Sequence, residues 1–172
     1  QLTELADREA WLAKVLQARA SKPVPSLGED WADLLERSVR TADANAVLNN
    51  ERASTALAEQ AEALERITTR RLTALVGRAG TGKTTVLGAL LLSKRLKDDG
   101  VLFLAPTGKA RVRITQKTGV EARTVAQFLY GLDRYDGRRQ RPRFDGPGQS
   151  RVAGTVVIDE CSMLTMDDLV AV

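Results

Sequence analysis

Eight residues constrain this chain more than any other feature. Gly77-Arg78-Ala79-Gly80-Thr81-Gly82-Lys83-Thr84 follows the spacing G-x-x-x-x-G-K-[ST]. An apolar run over residues 72–76 precedes it, and a stretch of helical composition follows to about Lys97. That order reads as strand, glycine-rich turn and helix. Glycine tolerates positive φ and lets a backbone approach a ligand closely. Successive N–H groups in such a turn, with the start of the next helix, make a cradle for an anion. In that cradle Lys83 reaches the β- and γ-phosphates of a nucleotide, and the Thr84 hydroxyl suits Mg²⁺. Thr85 completes the candidate nucleotide-binding set with Gly77, Arg78, Ala79, Gly80, Thr81, Gly82, Lys83 and Thr84. The competing reading is a glycine-rich loop that binds nothing.

A second element fits the first. Thr155-Val156-Val157-Ile158 is an apolar strand candidate followed by Asp159-Glu160, about 75 residues after the glycine loop. In a phosphate-transferring site a buried strand of this kind ends in a carboxylate directed at Mg²⁺. Asp159 is the candidate for that role and Glu160 the candidate for polarising the attacking water. Two adjacent acids favour hydrolysis over transfer to a small substrate, hence an ATPase over a kinase.

Composition narrows the chemistry further. The 172 residues contain no histidine, which excludes histidine general-base catalysis, catalytic triads and His-ligated metals. A single cysteine, Cys161, excludes an internal disulfide and a multi-cysteine zinc site, and fits a reducing cytoplasm. It reads as a small core residue. The longest apolar run, near residues 86–92, is far short of the roughly 20 residues that cross a membrane, so no membrane partner is expected. The N-terminus has neither signal-peptide nor basic transit character. The net charge of +4 is uneven. Residues 1–76 hold 10 Lys and Arg against 12 Asp and Glu, whereas residues 77–172 hold 16 against 10. A basic second part suits an anionic partner, although a solvated basic surface would look the same.

The rest of the chain supplies the frame. Leu2, Leu5, Ala6, Leu12, Val15 and Leu16 predict an amphipathic helix over residues 3–20. A breaker-rich linker covers 21–28. A helix over 29–40 buries Trp31, Leu34 and Leu35, and another spans 52–68, rich in Ala, Leu and Glu. Trp11 and Trp31 read as core residues. Residues 42–50 are ambiguous. Asp98-Asp99-Gly100 ends the long helix after the glycine loop. Residues 101–105 form a buried strand candidate, and helices are expected over 108–117 and 122–131. Residues 131–151, rich in Gly, Pro and Arg, read as a loop or irregular hairpin. Continuous apolar strands alternating with helices predict an α/β fold with a parallel sheet covered on both faces.

Two segments carry a family resemblance. Ala105-Pro106-Thr107-Gly108-Lys109-Ala110 follows the second strand, and Asp159-Glu160-Cys161-Ser162-Met163-Leu164 follows the third. Together with the glycine loop they resemble the RecD-like branch of superfamily-one (1B) DNA helicases, over roughly residues 55–172. Where that family has alanine and arginine, this chain has Cys161 and Lys109. The resemblance implies a RecA-like P-loop domain, with ATP and Mg²⁺ as cofactors. It implies that Gln60 hydrogen-bonds the adenine and that Pro106, Thr107 and Thr124 face single-stranded DNA. Two residues after that threonine the family has a histidine and this chain has Ala126. The parent activity so implied is ATP-driven translocation and unwinding in repair, recombination or DNA transfer.

Residues 1–54 then form a helical N-terminal segment and 55–172 an incomplete P-loop domain that needs the remaining motor domain of a parent protein. As a fragment the chain is expected to bind nucleotide weakly and to hydrolyse little. Arg134, Arg138, Arg139, Arg141, Arg143 and Arg151, with Tyr130, Tyr135 and Phe144, form either a strand-binding loop or a solvated one. A rival function is a regulatory ATPase that switches a protein partner without translocating on DNA.

Overall fold

A computed structural model describes residues 2–46, 48, 50–78, 80–144 and 153–172, with side chains described from Leu5 onward. The chain divides into two compact units: Val15–Asp98, and Gln1–Lys14 with Asp99–Val172. The first helix, α1 (Leu2–Ala20), contributes to both.

The unit Val15–Asp98 is helical. Its helix α2 (Trp31–Ala42) starts where the Asp30 carboxylate accepts a hydrogen bond from the Asp33 backbone N–H, and α3 (Glu51–Thr68) starts at the equivalent contact from Ala53 to Asn50. Each cap satisfies a donor that the first helical turn leaves unpaired. After the glycine loop come α4 (Lys83–Leu92) and α5 (Lys94–Asp99). Helix α2 packs on both α3 and α4. Trp31, Leu34, Leu35, Leu64, Val86, Ala89 and Leu90 are buried, and the Trp31 indole donates to Glu65 Oε2 at 2.9 Å. Gly88 lets α4 come close to α2: a Cβ there would run into the Ser38 hydroxyl, which donates to the Thr85 carbonyl at 3.1 Å.

The helix predicted to run unbroken to Lys97 is divided at Ser93. This fully buried side chain donates to Glu29 Oε1 at 2.6 Å and accepts from the Leu96 N–H at 3.3 Å. A buried hydroxyl that caps a new helix start while meeting a carboxylate competes successfully with helix continuation.

The other unit holds the sheet. Strands β1 (Val101–Ala105), β2 (Ala122–Thr124) and β5 (Thr155–Ile158) are parallel in the order β2-β1-β5, with Phe103 opposite both Ala122 and Val157. Helices α6 (Gly108–Thr118) and α7 (Val125–Gly131) follow β1 and β2, and α8 (Met166–Ala171) follows β5 after a 3₁₀ turn at Cys161–Met163. A short antiparallel hairpin pairs β3 (Tyr135–Asp136) with β4 (Arg141–Pro142). Leu104, Val125, Phe128, Leu129 and Ala171 form the core beneath it. The fold is thus mixed α/β with a parallel sheet flanked by helices. Gly100, at φ +84°, ends α5 as expected. Among the described residues no helix is long and apolar enough to cross a membrane.

Several expectations need correction. Residues 72–76 form no strand, and Leu75 and Val76 are 39% and 90% exposed. A strand exists through a paired neighbour, and this run has none among the described residues. Residues 122–124 are strand rather than helix, because Ala122 and Arg123 hydrogen-bond along β1. Among the described residues β5 is an edge strand, and its Val156 is 44% exposed rather than covered. Leu5 and Leu16 of α1 are exposed beside a buried Leu12. Trp11, read as core, is 52% exposed, and Cys161 is exposed rather than buried.

Candidate nucleotide site

In the helical unit the glycine loop leads directly into α4. Gly80 and Gly82 have φ +81° and +82°, a conformation that costs an L-residue with a side chain about 1–2 kcal/mol. Gly82 is the N-cap of α4 and offers no side-chain cap, so the first N–H groups of the helix face the loop without a side-chain acceptor. This combination of turn amides and a bare helix start favours an anion. Lys83 Nζ donates to the carbonyls of Gly77 at 2.5 Å and Arg78 at 2.7 Å, so its ammonium lies along the loop. Thr81 Oγ1 donates to the Arg78 carbonyl at 2.9 Å and closes the turn from within. Thr84 is exposed at the start of α4, whereas Thr85 is half-buried and its carbonyl is bound by Ser38. Ala79 lies outside the described residues.

Gln60 comes to this loop from α3. Its amide packs on Gly82 so closely that a Cβ at position 82 would overlap it. Gln60 Oε1 is buried and has no hydrogen-bond partner. An orphaned acceptor of this kind costs about 1–3 kcal/mol until a donor reaches it. The glycine turn and the bare helix start fit the phosphates of a nucleotide, and the Gln60 oxygen is an unpartnered acceptor beside them.

The second group of candidates sits at one edge of the sheet in the other unit. The three strands are parallel, so the ends of β1, β2 and β5 carry Pro106, Thr124 and Asp159 to the same side. In open α/β sheets ligands bind beyond this carboxyl edge. The Asp159 N–H donates to the Leu104 carbonyl, which continues the β5 pairing. Asp159 Oδ1 accepts the Glu160 N–H at 2.9 Å, and Glu160 adopts a left-handed φ of +52° as the chain enters the 3₁₀ turn. Glu160 Oε1 accepts from Arg113 NH1 at 3.2 Å. Thr84 and Asp159, the two residues matched to Mg²⁺, belong to different units. Among the described residues no three His, Cys, Asp or Glu side chains form a metal cluster.

Thr107 and Thr124 have structural duties at this edge. The Thr107 hydroxyl caps α6 through the Ala110 N–H, and Thr124 forms a reciprocal capping box with Gln127 on α7. A cleft of about 330 Å³ opens beside them, lined by Pro106, Ala126, Tyr135, Arg141 and Asp168 among others. The loop arginines are partly engaged within the fold. Arg134 donates to the Ala171 carbonyl, Arg139 faces Asp136 and Arg143 faces Asp133. Phe144 lies under the guanidinium of Arg8, 4.7 Å from its centroid. Arg151 lies outside the described residues. Arg113 escaped the sequence reading; the available signal was α6 itself, which carries four basic residues and no acid.

A glycine loop of this spacing opening a helix, in a chain with a parallel helix-flanked sheet, defines a P-loop nucleoside triphosphatase. Residues 55–172 match the AAA domain family, and the chain belongs to it. It is 24% identical over 181 residues to an uncharacterized protein of Methanocaldococcus jannaschii, covering 98% of this chain and 15% of that protein. It is 33% identical over 108 residues to the ATP-dependent RecD2 DNA helicase of Deinococcus radiodurans, covering 62% of this chain and 14% of that one. The chain therefore spans about a seventh of the length of each relative.

Proposed function

We propose that this chain is the nucleotide-binding part of an ATP-driven motor that moves on single-stranded DNA, in the manner of a RecD-like helicase. The observation that carries the reading is the Gln60 amide against Gly82, with its oxygen unpartnered, an acceptor suited to a base amine beside the phosphate loop. The likeness to the RecD2 helicase supports the motor part. In this reading Lys83 neutralises phosphate charge and Glu160 orients the attacking water. Thr84 offers a hydroxyl and Asp159 a carboxylate suited to Mg²⁺. When bound, the ion supplies Lewis-acid polarisation of the phosphoryl oxygens. Pro106, Thr107 and Thr124 face the strand, and the remaining motor domain comes from the rest of a longer protein.

The rival, an ATPase that switches a protein partner, draws on the Thr107 and Thr124 hydroxyls being committed to helix caps. ATP hydrolysis by the full-length protein, with and without single-stranded DNA, separates the two. The motor reading expects strong stimulation by the strand and a loss of about 100-fold or more in Lys83→Ala, as when one charge-stabilising donor is removed. Turnover indifferent to DNA and to Thr107→Ala refutes it and favours the rival.

A further inference from the structure

Glu160 has one cationic partner among the described residues, and it is Arg113. Arg113 projects from α6, the helix capped by Thr107. Lys109, Arg113 and Lys117 recur at intervals of four, so they share one face of that helix. All three are exposed, and the helix carries no acid of its own. The face therefore has its counter-charge from outside, in the carboxylate at the end of β5.

The pair is made to be exchanged. It is a single contact at 3.2 Å between side chains 64% and 36% exposed. Exposed one-contact pairs of this kind hold weakly and are screened by salt. A guanidinium binds phosphate through two parallel hydrogen bonds, a better match than one carboxylate oxygen. A backbone phosphate arriving on the basic face of α6 thus displaces Glu160. While the pair persists, Glu160 Oε1 is engaged by Arg113 NH1 and the carboxylate is held toward α6.

We propose that Arg113 is a positioning residue that restrains Glu160 in the absence of nucleic acid and releases it when a backbone phosphate takes its guanidinium. The inference rests on the role given to Glu160 under the proposed function. It also supplies a physical route by which a bound strand accelerates hydrolysis.

The test compares wild type, Arg113→Ala and Arg113→Lys in the full-length protein, with Lys83→Ala as the blank. Turnover is measured with and without single-stranded DNA at low and moderate salt. Arg113→Ala is expected to raise DNA-free turnover by about two- to fivefold, as much as an exposed one-contact pair can withhold, at an unchanged KM for ATP. The stimulation ratio falls by the same factor, and Arg113→Lys lies between. Rising salt raises DNA-free turnover in wild type but not in Arg113→Ala. DNA-free turnover that is unchanged or lowered in Arg113→Ala overturns the proposal. If the strand stimulates neither protein while Arg113→Ala still raises turnover, the motor reading and the release by a backbone phosphate both fall.

Discussion

Ser93→Ala removes a hydroxyl that joins three parts of the helical unit. In the native chain that hydroxyl, wholly buried, donates to Glu29 Oε1 at 2.6 Å and accepts from the Leu96 N–H at 3.3 Å. A hydrogen bond to a charged group contributes about 1.5–3 kcal/mol. Loss of a helix N-cap costs about 1 kcal/mol. The two share one oxygen and do not add fully, so the expected loss is roughly 2–4 kcal/mol. For a chain of this length that lowers the melting midpoint by roughly 4–16 °C. The assay is urea unfolding of wild type, Ser93→Ala, Glu29→Gln and the double variant. A coupling energy near 1–2 kcal/mol is expected between residues in direct contact. Additivity of the two single changes, or a loss below about 0.5 kcal/mol for Ser93→Ala, refutes the argument.

Two further outcomes follow from the geometry. Gly82→Ala pushes a left-handed residue into strain and a Cβ into the Gln60 amide, so nucleotide affinity is expected to fall about tenfold or more; titration with a fluorescent ATP analogue reads it, and unchanged affinity would show that the cradle does not need this turn. The Asp136 carboxyl is held below its ordinary value of 3.8, chiefly by the Arg139 backbone N–H and further by that of Arg138. A depressed carboxyl stabilises the fold above its ordinary value, and that contribution is lost as pH falls through the lowered one. The β3–β4 hairpin is therefore expected to loosen below pH 3.8, seen as shifts of the Arg138 and Arg139 amide resonances, with Asp136→Asn abolishing the step.

What the sequence disclosed followed the reach of its signals. Helix α3 was legible because its propensities and its Asn50 cap lie within one segment. The strand β1 was legible as a short apolar run between Gly100 and Pro106. The three residues of β2 carry no apolar pattern; they are a strand because β1 lies beside them. Residues 72–76 fail for the same reason in reverse, since an apolar run cannot supply its own neighbour. At the candidate site, the glycine loop was legible from spacing and Gln60 from family likeness. The contact of Gln60 with Gly82, and that of Arg113 with Glu160, depend on segments brought together only by folding. Trp11 and Cys161 misled because their residue types are usually buried.

The double hold on Gly82 bears on how the chain can vary over time. Shortening residue 60 would make room for a side chain at position 82 without changing the backbone conformation there, and relaxing the backbone would leave the Gln60 amide in the way. No single neighbouring change opens this position to another amino acid. Drift around the loop has to proceed through residues such as Arg78, whose side chain is exposed. A lineage that lost Gln60 would remain committed to glycine at 82, so the loop would outlast its contact with that amide.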